Sequence, residues 1–223
     1  MAIQRQILIV VTNVGYITEN RPTGLWLEEF AIPYNEFISA GYKVIVASPL
    51  GGKIPLDPRS TSQEIPEAWQ PAVAVLQDTQ ILLKVKDQEF DALILPGGHG
   101  PMFDLSRNYI LAELLKRFMV TDKIIGAVCH GPAGLVNTFL DNGQSLVANK
   151  RVTGFSNVEE EVVQLTKLVS FLLEDKLKEL GGNYISKAAW QEHVVIDGNL
   201  ITGQNPQSSA IFAKAIVDKL REQ

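Results

Sequence analysis

Short apolar runs alternate with helical segments along most of the chain, and this alternation limits the folds open to it. Four runs are rich in β-branched residues and lack polar alternation: 7–11, 44–47, 92–95 and 124–128. Such runs indicate strands that are covered on both faces. Between them, segments 24–40 and 106–120 carry apolar residues at helical spacing. We therefore predict an α/β fold, a flavodoxin-like three-layer α/β/α sandwich with a mostly parallel central sheet.

The last third of the chain adds a hairpin and two further helices to this pattern. Asp197 and Gly198 form a turn dipeptide between two apolar runs. Residues 172–180 are predicted to form an amphipathic helix. Asn205 and Pro206 have the order of an N-cap followed by the first helical residue, so they are predicted to begin the last helix.

The least regular part of the chain is segment 49–71, which contains five prolines. A segment of this kind is expected to lie over the surface without regular structure. No internal repeat divides the chain, and no linker rich in Pro, Gly and Ser does so either. We therefore expect residues 1–223 to form a single domain.

Composition excludes several classes of protein. Twenty Lys and Arg against 25 Asp and Glu give a net charge of −5, which argues against nucleic-acid binding. No segment approaches the roughly 20 apolar residues of a membrane span, and the first apolar run is too short for a signal peptide. A lone cysteine forms no internal disulfide and indicates a reducing compartment. We expect a cytoplasmic protein without a membrane partner.

Cys129, within the sequence IIGAVCHGPAGL, is the strongest candidate for chemistry. An apolar strand runs into the cysteine and small residues follow it, as at the nucleophile elbow of α/β hydrolases. This turn would place the sulfur at the carboxyl ends of the strands, where open α/β sheets bind ligands. The N-terminus of the following helix would favour the thiolate. The alternative is a cysteine that acts only as a small buried apolar residue.

A second strand ends in the glycine-rich sequence PGGHG. Glycine at a strand end lets the backbone approach a ligand closely. The amide of Gly98 is predicted to face the amide of His130 and to form a two-donor oxyanion hole with it. Each such donor typically contributes about 3 kcal/mol of transition-state stabilisation. The alternative is a tight turn without a catalytic role.

Glu28 and Glu29 are candidates for proton transfer, because both have apolar neighbours at helical spacing. A carboxyl group in apolar surroundings has a raised pKa, which suits proton transfer near neutral pH. The alternative is a pair of surface charges, and the spacing does not choose between the two residues.

Glu160 is a candidate partner for His130, but spacing alone does not favour that role. The pairs Ser156–Glu159 and Asn157–Glu160 both have the spacing of a capping box. Acidic residues are also common in a first helical turn for electrostatic reasons alone. From spacing, helix capping is the better interpretation of this acidic run.

No motif for a metal or cofactor is found. Three scattered histidines and one cysteine lack the spacing of a zinc site. His193, in an alternating run, is predicted to be a packed or surface residue. Neither a glycine-rich dinucleotide fingerprint nor a P-loop is present, so we expect no cofactor.

Together these segments resemble the ThiJ/PfpI superfamily, whose fold is that of class I glutamine amidotransferase domains. The resemblance covers nearly the whole chain and is carried by ILIVVTN, TGLWLEE, LILPGGHGPMFDL, VCHGPAGL, VTGFSNVEEE and LITGQNPQSS. It is greatest to the branch that contains heat-shock-inducible chaperones and cofactor-independent glyoxalases.

This resemblance implies a role for each candidate residue. Cys129 matches the nucleophile of the family, and His130 matches the histidine that follows it. Glu160 matches the carboxylate that partners this histidine. Glu29, rather than its neighbour, matches a carboxylate within hydrogen-bond reach of the sulfur. Gly98 and His130 match the amides of the oxyanion hole.

The resemblance also implies an activity. We expect a homodimeric enzyme that converts small α-oxoaldehydes such as methylglyoxal to D-lactate or related hydroxy acids through a hemithioacetal on Cys129. The alternatives are a cysteine peptidase or amidase, and a stress-response holding chaperone or cysteine redox sensor. Glutamine amidotransfer is not expected, because the glutaminase relatives carry a His-x-Glu pair late in the chain. Here two valines follow His193.

Overall fold

The computed structural model describes residues 4–223, and a seven-stranded sheet forms its centre. The strands are β1 (Gln6–Val10), β2 (Tyr16–Thr18), β3 (Arg21–Pro22), β4 (Lys43–Ser48), β5 (Gln80–Ile81), β6 (Ala92–Leu95), β7 (Ile124–Val128), β8 (Arg151–Val152), β9 (Asn183–Tyr184), β10 (Val194–Asp197) and β11 (Leu200–Gly203). The helices are α1 (Leu27–Ser39), α2 (Gln70–Val75), α3 (Leu82–Val85), α4 (Tyr109–Val120), α5 (Asn157–Val162), α6 (Leu173–Glu179) and α7 (Ser209–Glu222).

The order of strands in the main sheet is β10-β11-β7-β6-β1-β4-β5. All neighbouring strands run parallel except β10, which is antiparallel to β11. From β1 the chain first builds β4 and β5 on one side, and it then builds β6, β7 and β11 on the other. The strand order therefore reverses between β1 and β6, and open α/β sheets bind ligands at the carboxyl ends of strands beside such a reversal.

Helices flank this sheet and bury its strands. Helix α1 packs against α7, which also contacts β7 and β11, whereas α4 contacts α3, β6 and β7. Every side chain of β6 and β7 is buried. Full burial of a Val, Leu or Ile side chain contributes roughly 1.5–3 kcal/mol, so these strands are a main source of stability. The predicted α/β/α arrangement with a mostly parallel sheet is confirmed.

The four predicted strands and two predicted helices are all present, with small shifts of their ends. The largest shifts are at the beginnings of α1 and α4. Helix α4 begins at Tyr109 because the side chain of Asn108 accepts a hydrogen bond from the Leu111 amide at 2.9 Å. This is an ordinary N-cap, and it lies two residues beyond the predicted start of the segment.

The last helix begins later than the sequence predicts. Pro206–Ser208 forms a 3-10 turn, and α7 starts only at Ser209. Asn205 does not cap the helix with its side chain. Its Nδ2 atom instead donates to Glu159 Oε1 and to the Gln191 carbonyl, both at 2.8 Å. A tertiary contact has therefore replaced the predicted cap.

The hairpin is confirmed, but its turn lies one residue further along than predicted. Asp197 pairs with Leu200, so the two turn residues are Gly198 and Asn199. Gly198 has a φ of +59°, which glycine adopts without strain. The helix predicted at 172–180 is also present, as α6.

Segment 49–71 lies mostly at the surface, as expected, but it also contributes a buried carboxylate. Asp57 is fully buried within it and accepts a hydrogen bond from the Thr23 hydroxyl at 3.0 Å. Its carboxylate also holds the guanidinium of Arg59 through bonds of 2.9 and 2.6 Å. The segment thus carries an ion pair between a buried carboxylate and a partly exposed guanidinium, and this pair borders the candidate site.

Within residues 4–223, no helix is both long enough and apolar enough to cross a membrane.

Candidate active site

Cys129 lies on a sharp turn directly after β7, as the elbow pattern predicts. Its φ is +58°, a left-handed value that is uncommon for residues other than glycine and costs roughly 1–3 kcal/mol. The backbone is fixed on both sides: the Cys129 amide donates to the Gly203 carbonyl and its carbonyl accepts from the Phe155 amide, both at 2.9 Å. A Cβ atom at Gly131 would overlap the Leu95 carbonyl, so the turn requires a glycine there.

The surroundings of the sulfur differ from the expectation of a favoured thiolate. The segment after the elbow, Gly131–Leu135, is a 3-10 helix rather than an α-helix. Cys129 is 3% exposed. Burial raises the pKa of its thiol well above the usual value, and the nearby Glu29 side chain raises this pKa further. These surroundings favour the thiol over the thiolate, in contrast to the expectation that a helix N-terminus favours the thiolate.

Glu29 supplies the buried carboxyl group beside the sulfur. It is fully buried, whereas Glu28 is half-buried, so the structure distinguishes two residues that spacing left equivalent. Glu29 Oε2 accepts a hydrogen bond from the Gly97 amide at 2.9 Å. Its other oxygen has no partner among the described residues. Burial raises the pKa of Glu29 well above its usual value, although the contacts with Cys129 and Gly97 oppose the rise.

In the acidic run, Glu159 caps the helix and Glu160 contacts His130. Glu159 forms the capping box with Ser156 at the start of α5. Glu160 turns inward instead, and its Oε2 atom lies 2.7 Å from His130 Nε2. His130 Nδ1 in turn lies 3.5 Å from the Cys129 sulfur. Cysteine, histidine and carboxylate are therefore in continuous contact.

Burial alone would raise the pKa of Glu160. The charge of His130, together with hydrogen bonds from His130 and His99, instead lowers it below the usual range. Glu160 is therefore ionised, and an ionised carboxylate accepts hydrogen bonds but donates none.

His99 is a member of this cluster that the sequence analysis did not identify. Its Nε2 atom lies 2.8 Å from Glu160 Oε1, and its ring centroid lies 3.9 Å from that of His130. Arg59, held by Asp57, has its NH2 atom 3.3 Å from His99 Nδ1. The only sequence signal for His99 was its place in the glycine-rich strand end. Arg59 carried no signal, because only the tertiary fold brings the proline-rich segment to this site.

The predicted oxyanion-hole amides lie beside the sulfur. The Gly98 amide hydrogen-bonds towards Cys129 and slightly opposes the rise in the pKa of the thiol. Neither the Gly98 amide nor the His130 amide donates to an oxygen atom within residues 4–223. Gly98 has a φ of +83°, and a Cβ atom there would come 2.7 Å from the Trp26 amide nitrogen. Neither amide therefore has an oxygen acceptor among the described residues, and their role as an oxyanion hole stays a prediction.

Two surface clefts lie beside Arg59, which lines both, and neither is lined by Cys129 or His130. One has a volume of about 330 Å³ and includes Trp26, Glu28 and Trp69. The other has a volume of about 210 Å³ and includes Ile17, Arg21 and Leu165. The Arg59 guanidinium carbon lies 5.7 Å from the centre of the Trp26 ring, and its side chain is 39% exposed. The two clefts therefore share one positive charge, which Asp57 holds in place.

Two of the three histidines, although far apart in the sequence, come together in the structure. Nitrogen atoms of His99 and His130 and an oxygen of Glu160 all lie within 4.8 Å of one another. Each of these atoms already has a hydrogen-bond partner inside the cluster, which favours a proton network over a metal centre. His193 lies outside the cluster, at the start of β10, and is half-buried as predicted.

Comparison with known proteins places this geometry in a family. A family model described as DJ-1/PfpI family matches residues 23–219. The chain belongs to the DJ-1/PfpI family. The resemblance to ThiJ/PfpI proteins is thereby confirmed.

Individual members of the DJ-1/PfpI family align with almost all of the chain. The glutathione-independent glyoxalase HSP31 of Saccharomyces cerevisiae is 25% identical over 236 residues, which cover 97% of this chain and 98% of the relative. The glutathione-independent glyoxalase hsp3101 of Schizosaccharomyces pombe is 28% identical over 242 residues, covering 97% and 96%. An X-ray structure of the 24 kDa rapid encystment protein of Francisella tularensis has a TM-score of 0.93 at 38% identity, covering 97% and 99%.

Proposed function

We propose that this DJ-1/PfpI protein is a glutathione-independent glyoxalase. It would convert methylglyoxal and similar α-oxoaldehydes into 2-hydroxy acids, with D-lactate as the product from methylglyoxal. The observation that carries the proposal is that a buried thiol, Cys129, lies beside a buried carboxyl group, Glu29, with an imidazole nitrogen of His130 3.5 Å from the sulfur. Its relatives named as glyoxalases support the same activity. The Cys129 sulfur would take the place of the glutathione sulfur.

The first step forms a carbon–sulfur bond. The Cys129 thiol gives its proton to His130 Nδ1 as the sulfur attacks the aldehyde carbon. Negative charge develops on the aldehyde oxygen, within reach of the Gly98 and His130 amides. Glu29 then gives its proton to this oxygen, which leaves a neutral hemithioacetal, a Glu29 carboxylate and a protonated His130. Proton transfer from the thiol during attack suits a sulfur whose pKa is raised rather than lowered.

The second step moves a proton between neighbouring carbons. The Glu29 carboxylate removes the proton from the former aldehyde carbon, and the ketone oxygen takes the proton of His130, giving an enediol. Glu29 then protonates the second carbon, and the hydroxyl on the first carbon loses its proton to His130. The product is a thioester of the 2-hydroxy acid. In this scheme the unpartnered oxygen of Glu29 is the atom that exchanges the proton.

The third step releases the product with water. The Glu29 carboxylate takes a proton from water as the hydroxide attacks the thioester carbon. The tetrahedral intermediate collapses, the carbon–sulfur bond breaks, and the leaving sulfur takes the proton of His130. The cycle ends with the starting thiol, carboxyl group and neutral imidazole, so one aldehyde and one water give one hydroxy acid.

The peptidase or amidase alternative is less well supported. Cysteine peptidases use a thiolate with a lowered pKa. Here burial and Glu29 raise the pKa of Cys129. The same raised pKa disfavours rapid oxidation by low peroxide, which requires thiolate.

Consumption of methylglyoxal tests the proposal, with the product identified by a D-lactate-specific dehydrogenase. We expect the wild type to form D-lactate and the Cys129→Ala variant to form none. Glu29→Gln should lower kcat at least about 100-fold, as loss of a general acid–base group does. His193→Gln removes a histidine outside the cluster and serves as the matched control with wild-type activity. Equal rates for wild type and Cys129→Ala would refute the proposal.

The homodimer, the cytoplasmic location, the single domain and the absence of a metal or cofactor stay predictions. Light scattering of the purified protein tests the first of them: a mass near 49 kDa, twice the 24.6 kDa of the chain, is expected for a dimer.

A further inference from the structure

Glu160 lies between two imidazole rings, although the proposed mechanism uses only one. Its Oε2 atom pairs with His130 at 2.7 Å, and its Oε1 atom pairs with His99 at 2.8 Å. Both histidines are buried, with 0% and 3% exposure respectively. His99 does not touch the sulfur through any hydrogen bond recorded for residues 4–223. Its buried position between two charged groups therefore needs a separate explanation.

Arg59 determines where His99 carries its proton. A guanidinium group has five N–H donors and no acceptor. The Arg59 NH2 atom lies 3.3 Å from His99 Nδ1, so this nitrogen must present its lone pair. The proton of a neutral His99 is then on Nε2, where it donates to Glu160 Oε1. Arg59 is itself oriented by two hydrogen bonds to the buried Asp57 carboxylate.

His99 remains neutral near pH 7 because of the groups around it. Burial above all, and then the nearby His130 and Arg59, lower its pKa to about 4. Glu160 is the one charged group in contact with His99 that acts in the opposite direction. A neutral His99 with this tautomer accepts a hydrogen bond from Arg59 and donates one to Glu160, and it carries no charge.

The fixed tautomer has a consequence at the sulfur. If His99 supplies the donor at Oε1, the carboxylate is held in one orientation with Oε2 directed at His130. Because Oε2 can only accept, His130 Nε2 must donate, and the lone pair of a neutral His130 is on Nδ1. That atom faces the Cys129 sulfur at 3.5 Å. Without His99, Oε1 would be a buried oxygen with no partner, which is unfavourable.

We propose that His99 is a positioning residue whose tautomer is fixed by Arg59, and that it orients Glu160 so that His130 presents an unprotonated Nδ1 to Cys129. This inference rests on the proposed function, in which His130 Nδ1 takes the thiol proton. It adds a second, non-catalytic arm, Asp57–Arg59–His99, to the Cys129–His130–Glu160 relay.

Nitrogen-15 NMR of histidine-labelled protein tests the arrangement directly, since the chain has only three histidines. Two-bond nitrogen–proton correlations distinguish the Nδ1–H tautomer, the Nε2–H tautomer and the imidazolium ion. We expect His99 in the Nε2–H form at pH 7, and neutral His130 in the same form. Signals are assigned with the His99→Gln and His193→Gln variants. A wild-type His99 with its proton on Nδ1, or charged at pH 7, would overturn the proposal.

Kinetics of two His99 variants provide the second readout. His99→Leu removes the donor to Glu160, and loss of a hydrogen bond to a charged group should lower kcat about 10- to 100-fold with little change in KM. It should also give His130 a mixture of tautomers. His99→Gln keeps an N–H donor and should restore part of kcat. Wild-type kcat in His99→Leu, or a His130 tautomer that does not change, would contradict the inference.

These outcomes are separable from failure of the proposed function. If Cys129→Ala consumes methylglyoxal like the wild type, the glyoxalase proposal fails, and the positioning role in that reaction fails with it. If Cys129→Ala is inactive but His99→Leu is not impaired, only the positioning role fails. Circular dichroism establishes that each variant is folded. The wild-type NMR spectrum decides the tautomers even if His99→Leu does not fold.

Discussion

Burial of His99 makes a quantitative prediction about stability in mild acid. The pKa of this histidine falls from 6.5 to about 4 in the folded chain, with burial as the main cause. Between these two values the unfolded chain binds a proton that the folded chain does not bind. Stability contributed by neutral His99 is therefore present above pH 6.5 and is lost as the pH falls towards 4.

The size of this effect follows from the shift. Each pKa unit corresponds to 1.36 kcal/mol. When the pH falls from 7 to 5, it passes the unfolded pKa of 6.5 and ends about 1.5 pH units below it. Protonation of His99 in the unfolded chain should therefore lower the free energy of unfolding by about 2 kcal/mol. Glu29 acts in the opposite direction in the same pH range, because burial raises its pKa and the folded chain keeps its proton. The pH dependence of the wild type alone therefore does not isolate His99.

Comparison of the wild type with His99→Gln removes this ambiguity, because Glu29 is common to both proteins. Urea unfolding at pH 7, 6 and 5, followed by fluorescence of the three tryptophans, gives the two free energies. The stability of His99→Gln relative to wild type should improve by about 2 kcal/mol between pH 7 and pH 5. His193→Gln is the matched control and should show a smaller change, since His193 is only half-buried. A difference between wild type and His99→Gln that stays constant within about 0.5 kcal/mol would refute the reasoning.

Three further predictions concern single residues. Glu29→Gln should raise the melting temperature, and the gain should be larger at pH 8 than at pH 6, because burial opposes ionisation of Glu29; calorimetry with no gain at either pH would contradict this. Gly131→Ala should lower the free energy of unfolding by roughly 2–4 kcal/mol, because a Cβ atom there meets the Leu95 carbonyl. Gly143 has open space around it, so Gly143→Ala should cost only about 1–2 kcal/mol, for its left-handed backbone. Equal losses in urea unfolding would count against the steric argument. Glu160→Gln places an amide between two imidazole N–H donors, so kcat for methylglyoxal should fall about 100-fold; a wild-type rate would exclude Glu160 from the relay.

The architecture was predictable because periodicity reports burial, and burial of both strand faces requires helices on both sides of the sheet. The four predicted strands became β1, β4, β6 and β7 for this reason. The elbow at Cys129 was also predictable, since it depends on a strand followed at once by small residues. Helix ends were less predictable. The spacing predicted that Asn205 caps the last helix, but its side chain donates a hydrogen bond to Glu159, which is distant in sequence.

Which glutamate of each neighbouring pair reaches the site depends on the direction in which it leaves its helix. Glu28 and Glu29 differ by about 100° around α1, and so do Glu159 and Glu160 around α5. Both members of each pair have apolar neighbours or cap spacing, so local sequence does not determine which one faces the sulfur. The resemblance to the family selected Glu29 and Glu160 as the site residues. The structure brings both of them to the cluster.

The arm formed by Asp57, Arg59 and His99 was beyond local reasoning. It unites a proline-rich segment with a strand end forty residues later, and it depends on a contact between two side chains. Proline content correctly predicted irregular backbone in that segment. It gave no information on which side chains turn inward, because neither helical nor strand periodicity applies there.

The near-complete burial of Cys129 has a consequence for reagents that modify thiols. With only 3% of the residue exposed, the sulfur is shielded from solvent in the folded chain and accessible in the unfolded chain. A bulky alkylating reagent should therefore react much more slowly with the folded protein than with the unfolded one. The rate of thiol labelling then reports how often the surrounding structure opens.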